Sequence, residues 1–273
     1  MRYPLQKDRE RATAVIKTLK SYVMPLFVTA LYFLLYIPIF VLVVFSFNNN
    51  ALTYNWLGFT TQWNSELFAS VEVWDALGNS LFVALSSVGL SLTIGSILIF
   101  FGSQYVKRLL VLFYGSLAMP EIVLAVGLLT LFSFFAVPLG ASTLIAGHTL
   151  LGLGYVVPIL YNRFAELDTS LIEASYDLGA TRQQTFFSIV LPLLMPAMVA
   201  AGLLVFIISL DDFIISFFCA GASMQTLPLY IFAVIRTGAS PMVNALSTIL
   251  LISSSFFVLL ISLLQIKKIG MQQ

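Results

Sequence analysis

The chain has 273 residues, a formal net charge of +1, 60% hydrophobic residues and 9% charged ones. Soluble domains carry roughly 25% charged residues, so a soluble globular protein is excluded, and so small a net charge gives no reason to expect nucleic acid as a partner. Apolar runs of the roughly 20 residues that a helix needs to cross a bilayer recur along the chain, which marks an integral membrane protein.

The N-terminal segment, 1–23, holds Arg2, Lys7, Arg9, Arg11, Lys17 and Lys20 and leads into a first predicted span at 24–47. That span is too long, and its leading segment too charged, for a cleaved signal peptide. The loop 48–75 follows with "N-N-N-A-L-T-Y-N-W", Trp63, Glu66, Glu72, Trp74 and Asp75. Its rings suit a membrane–water boundary, and it reads as a solvated loop with interfacial anchors, the alternative being a docking surface for an outer partner.

The second, third and fourth spans are predicted at 77–101, 109–136 and 142–161. The last two emerge from one apolar run whose only carboxylate and only histidine are Glu121 and His148. The turn "V-P-L-G-A" (137–141) divides it, because Pro and Gly interrupt a helix. Pro120 should bend the third span and free a backbone carbonyl. Glu121 lies 12 residues beyond the start of that span, about 18 Å at helical rise, close to the midplane. His148 reads as a hydrogen-bonded histidine of the bundle.

The loop 162–192 does not read as a linker. Ser170 and Glu173 fit a capping box, in which two side chains satisfy free amides at a helix start. Leu167, Leu171, Ala174 and Leu178 recur at helical spacing as one apolar stripe. Gly179 suits a left-handed helix end, Thr181 and Gln184 fit a second box, and Pro192 suits the first turn of the next span. Two short helices with a glycine corner are expected. Their acidic balance does not favour anionic lipid, so a protein partner is the better occupant of the stripe.

A fifth span is predicted at 193–218, and a sixth at 243–265. Between them, 229–235 is too short to cross and reads as an interfacial or re-entrant helix. Of the 13 basic residues, 12 fall in the N-terminal segment, the even-numbered loops and the tail 266–273, with only Arg236 opposite. Both termini are therefore expected to be cytoplasmic. The whole chain reads as one all-α transmembrane domain of six helices. The fifth span carries "S-L-D-D-F-I-I-S" (209–216), with Asp211 and Asp212 in an otherwise apolar stretch. An acid at mid-bilayer costs about 2.5–3.5 kcal/mol on insertion scales, so such residues face a cavity or a partner. In an unbroken helix Ser209, Asp212 and Ser216 share one stripe. Asp212 is then the first choice for a transport pathway, and Asp211 the brace of a neighbour. Counted from Pro192, the pair lies towards the outer end of the span, leaving Glu121 alone at the midplane.

Glu173, Ala174, Ser175, Gly179, Ile189, Leu191 and Pro192 follow the order and spacing of the EAA motif, which reads E-A-A, three residues, G, nine residues, I, one residue, L-P. The one departure is Ser175 for alanine. The loop thus resembles that of ABC-importer permeases, and the resemblance implies a type I importer fold in which the first short helix couples to a cytoplasmic ATPase. Further segments, "N-W-L-G-F-T-T-Q-W" (55–63), "S-L-D-D-F-I-I-S", "L-P-L-Y-I-F" (227–232) and "S-P-M-V-N-A-L-S-T-I-L-L" (240–251), resemble the PotC family of spermidine/putrescine permeases. That family implies a heterodimer with a PotB-like permease, a PotA-like ATPase dimer and a PotD-like periplasmic binding protein, in the bacterial inner membrane. ATP and Mg would sit on the ATPase and no cofactor on this chain, which has no glycine-rich phosphate loop and is read as a subunit without catalytic residues. Polyamines call for anionic ligands and ring faces, so Glu121, Asp211, Asp212 and Tyr230 are the candidate pathway residues. Tyr230, Trp56 and Trp63 read first as surface anchors, with stacking on a polyamine as the alternative. The alternatives are a permease of the same class for another small solute, or a proton-coupled secondary transporter with the three acids as its relay.

Overall fold

Proline and glycine divide this chain as much as polarity does. The computed structural model describes residues 4–50, 55–238, 241–253 and 255, with side chains from residue 23 onward except 103 and 104. The described elements are helical, apart from an isolated bridge between Asn48 and Phe59. They form two compact units: residues 70–233, and a second made of the chain on either side.

The flanking unit contains α1 (Pro4–Phe45), whose stretch Val23–Phe45 is long and apolar enough to cross a membrane, and α2 (Gln62–Ala69). The connection between them is built rather than merely solvated. Asn48 is fully buried: its amide donates to the Asn55 carbonyl (2.8 Å), and its Oδ1 accepts the Leu57 N–H (3.0 Å). The Trp63 indole donates to the Asn48 carbonyl (2.8 Å), and Phe47 stacks on Phe59. Residues 51–54 of the asparagine-rich stretch lie outside the described residues.

The unit 70–233 holds α3 (Val71–Phe101), α4 (Ser103–Ala118), α5 (Glu121–Phe134), α6 (Ala141–Ala165), α7 (Thr169–Asp177), α8 (Arg182–Thr185), a π-helical turn (Phe186–Val190), α9 (Leu191–Asp211), α10 (Ile214–Cys219) and most of α11 (Leu227–Thr237). Here α3, α6 and α9 pack on one another through small residues. A Cβ on Gly152 would lie 2.5 Å from Ser91 Oγ and 2.9 Å from Val205 Cγ1, so only glycine admits both neighbouring helices at this distance. Hydroxyls tie the same seam: Ser91 Oγ donates to the Thr149 carbonyl (3.1 Å) and Ser87 Oγ to that of Ile145 (3.3 Å). Lipid offers no hydrophobic drive between helices, so close backbone approach and such bonds carry the association.

The six expected spans are met in altered form. Among the described residues four helical runs are long and apolar enough to cross: Val23–Phe45, Val71–Phe101, Ala141–Ala165 and Arg182–Asp211. The expected third span is not one helix. Tyr105–Ala118 and Glu121–Phe134 meet at 108°, because Met119 and Pro120 both adopt extended ψ angles and Pro120 has no N–H to continue α4. The expected fifth span stops at Asp211 and α10 begins anew. The sixth starts in a shorter apolar helix, α12 (Pro241–Ser253), and its remainder, with the basic tail at Lys267 and Lys268, lies outside the described residues. The piece read as interfacial is α11, at 11 residues too short to span.

Candidate functional site: the coupling loop and the acidic elbow

Two regions of the unit 70–233 bring the singled-out residues together. The first is the loop after α6. It is two short helices around a glycine corner: α7 ends and Gly179 takes φ +84°, the left-handed region that glycine alone enters freely. The second capping box forms as expected. Thr181 Oγ1 accepts the Gln184 N–H (3.3 Å), and the Thr181 N–H donates to Gln184 Oε1 (2.8 Å). The first box does not form. The cap is Asp168, two residues earlier, whose Oδ1 accepts the Ser170 N–H (2.9 Å). Asp168 keeps an extended backbone while Ser170 is already helical, and aspartate caps as well as serine. That bond from Ser170 holds the Asp168 carboxyl below its ordinary pKa.

The departure from the motif has a partner. Ser175 is buried, and its Oγ lies 2.8 Å from Thr185 Oγ1, linking α7 to α8 across the corner. An alanine there would leave Thr185 without this contact. Inward, Leu167 and Ile172 pack against the cluster of Phe100, Phe186, Val190 and Leu194, joined at its edge by Leu191. Outward, Glu173 and Ala174 are exposed, and so are Leu171 and Leu178, the latter at 89%. Most of the predicted stripe is therefore uncovered, while Leu167 belongs to the inner contact. Ile189 is half-buried and Pro192 exposed. Pro192 follows no loop: the helical run is continuous from Arg182, and the π turn, with the Leu191 N–H on the Phe186 carbonyl, widens the helix where the proline ring would otherwise meet the carbonyl four residues back.

The second region gathers the acids. Glu121 opens α5 just after the elbow with α4, in the first turn, where the helix dipole favours a carboxyl group. Asp212 sits at the α9–α10 break, 5% exposed, its backbone extended (φ −68°, ψ 120°). Its carboxylate accepts the Ser216 N–H (2.9 Å) and the Ile215 N–H (3.3 Å), so it caps α10. His148, 1% exposed, stands beside it: Nδ1 is 2.7 Å from Ser209 Oγ, and Nε2 is 3.3 Å from Asp212 Oδ2 and 3.4 Å from Ser216 Oγ. The stripe of Ser209, Asp212 and Ser216 thus converges on the histidine, across a helix break that its helical spacing did not anticipate. The bracing acid is Asp212. Asp211, expected to brace a neighbour, is the exposed member of the pair. The break reverses the two because Asp212 turns inward to cap α10.

Glu121 is not alone: α5 packs on α10, and Asp212 and Asp211 stand close enough to act on its carboxyl electrostatically. The two helix interruptions, at 119–120 and 212–213, therefore bring three acids together. Beside Glu121 a cavity of about 210 Å³ opens, lined also by Ser116 and Tyr155 and walled by Leu124, Leu151 and Ile208. Sequence reasoning missed Ser116 and Tyr155, because they join Glu121 only once α4 folds back at the elbow. Tyr230 is half-buried on α11, and no described interaction joins it to the acids. Among the described residues no group of histidine, cysteine and acid side chains could hold a metal ion.

Comparison with known proteins places these features in a class. Residues 87–266 match the family described as "Binding-protein-dependent transport system inner membrane component". The spermidine/putrescine transport system permease protein PotC of Escherichia coli K12 is 39% identical over 240 residues, covering 85% of this chain and 90% of that protein. PotC of Haemophilus influenzae is 37% identical over 245 residues, covering 87% and 94%. The putrescine transport system permease protein PotI of E. coli K12 is 35% identical over 228 residues, covering 80% and 81%. A crystal structure of a bacterial ABC transporter involved in the import of the acidic polysaccharide alginate superposes with a TM-score of 0.65 at 14% identity, over 93% of this chain and 97% of that one, and so shares its fold.

Proposed function

The chain belongs to the family of inner-membrane components of binding-protein-dependent transport systems, and from that premise we propose that it is a permease subunit of an ATP-driven polyamine importer. The observation that carries the substrate class is the meeting of Glu121, Asp211 and Asp212 at two helix interruptions. Polyamines bear two or more ammonium groups on a flexible chain, and a grouping of acids in an apolar bundle is a pathway for cations. The relatives named for spermidine and putrescine support the same reading.

Transport would proceed by alternating access. A PotD-like binding protein delivers the substrate from outside, and a PotB-like permease completes the pathway beside this chain. A PotA-like ATPase dimer holds ATP and Mg. The exposed stripe of Leu171, Ala174 and Leu178 seats in a groove of that ATPase. The packing of Leu167 and Ile172 on the Phe100 cluster then hands its movement to the membrane helices. In this arrangement both termini are cytoplasmic, and Glu173 and Gly179 lie at the ATPase contact.

The test is uptake of labelled spermidine and putrescine into proteoliposomes holding both permeases and the ATPase, with the binding protein added. ATP-dependent uptake of at least one of them is expected. Uptake that persists without the ATPase, or no polyamine uptake at all, overturns the reading.

A further inference from the structure

The cavity beside Glu121 has a polarity gradient. The Glu121 carboxyl, Ser116 and the Tyr155 ring lie on its lining, and Leu124, Leu151 and Ile208 supply aliphatic wall. Ser116 Oγ already donates to the Phe113 carbonyl (2.7 Å), so toward the cavity it offers lone pairs only. The Ser116 carbonyl has no helical partner, because position 120, which would supply its N–H, is a proline. The polar part of the lining therefore offers oxygen acceptors, one phenol hydroxyl and an aromatic ring. A primary ammonium group has three donors and no acceptor, and cations bind over aromatic faces. An anion, or the carboxylate of a zwitterionic amino acid, would be brought against Glu121.

We infer that this cavity is a subsite for one terminal ammonium group of a linear aliphatic amine, with Tyr155 as the residue that sets its affinity. The ammonium lies between the Glu121 carboxyl and the Tyr155 ring, and the first methylenes of the chain lie along Leu124, Leu151 and Ile208. Tyr155 comes from α6, half-buried about one turn beyond Gly152 and Leu151, so it is held by a helix packed closely on α3 and α9. The inference rests on the polyamine reading above and adds where one end of the substrate is held and what chemistry is selected there.

The probe is labelled putrescine binding to the purified complex of both permeases and the ATPase, without the binding protein, whose own selectivity would mask the site. Three variants are compared with the native chain, each checked for assembly by size-exclusion chromatography. Tyr155→Phe keeps the ring and retains binding. Tyr155→Leu removes the ring and weakens binding at least about tenfold. Leu124→Trp leaves the polar groups in place, fills the cavity, and weakens binding by at least the same factor. A loss smaller than this in Tyr155→Leu or Leu124→Trp overturns the subsite, as does an equal loss in Tyr155→Phe. If Tyr155→Leu does not assemble, Leu124→Trp decides. The functional reading fails separately, in the native complex with its binding protein, if that complex imports neither polyamine.

Discussion

Replacing His148 by leucine would leave the Asp212 carboxylate without its buried ring partner, and Ser209 and Ser216 without theirs. A buried polar group deprived of its partner costs about 1–3 kcal/mol. His148→Leu is therefore expected to lower the detergent-solubilised complex's thermal midpoint, and His148→Asn, which keeps hydrogen-bonding capacity, to lower it less; equal losses would mean that ring volume alone matters. The bundle histidine was legible in the sequence, since a lone His in an apolar helix needs partners. That Asp212 rather than Asp211 faces it was not legible. Helical spacing assumes a continuous helix, and the exchange arises from one residue, Asp212, leaving helical geometry to cap the next helix. Glu121 was found for the same reason as His148, by being an acid where lipid would not tolerate one. Its neighbours Ser116 and Tyr155 carry no such mark, because a serine and a tyrosine are unremarkable in any membrane helix.

At the level of elements, the coupling loop depends on one backbone angle and one cap. A Cβ at Gly179 would meet nothing within 4 Å, so the objection to a side chain there is conformational and not steric. Gly179→Ala is expected to cost about 1–2 kcal/mol for its left-handed backbone. The complex should still assemble while transport per ATP hydrolysed falls; unchanged stoichiometry of uptake to hydrolysis would contradict this. The cap at Asp168 sets the pH range of α7. Its folded pKa lies below the unfolded value, so the cap contributes fully above the unfolded aspartate pKa and is lost as pH falls through the lowered folded value. Amide protection at Ser170, corrected for intrinsic exchange, should thus hold through neutrality and fade only in acid, and in Asp168→Asn the acid loss should vanish. Punctuation residues made this loop readable in advance, apart from a cap displaced by two residues. The π turn was not readable, because its cause is a clash between Pro192 and a carbonyl that no side-chain pattern reports.

Over the whole molecule, the distribution of basic residues predicts an orientation that labelling can check. In a Cys219→Ser background, a membrane-impermeant maleimide applied from outside should label Glu66→Cys and leave Lys107→Cys untouched; the reverse would invert the topology. The π turn also bears on this scale. Phe186–Val190 holds one residue more than an α-helical turn requires, and it lies between the coupling helix and the crossing segment that ends at Asp211. In a regular helix each residue advances the axis by 1.5 Å and turns it by about 100°. The fixed interval from Gly179 to Pro192 is therefore an angular setting as well as a length. Deleting one residue from Phe186–Val190 would close the bulge into an ordinary turn and leave its flanks nearly in register. Deleting one residue from the regular helix of α9 would instead swing α7 by about 100° around the axis of α9 and move it only about 1.5 Å along it. Its apolar stripe would then face away from where it now points, and a subunit matched to it in every residue would be presented with the wrong side of the helix.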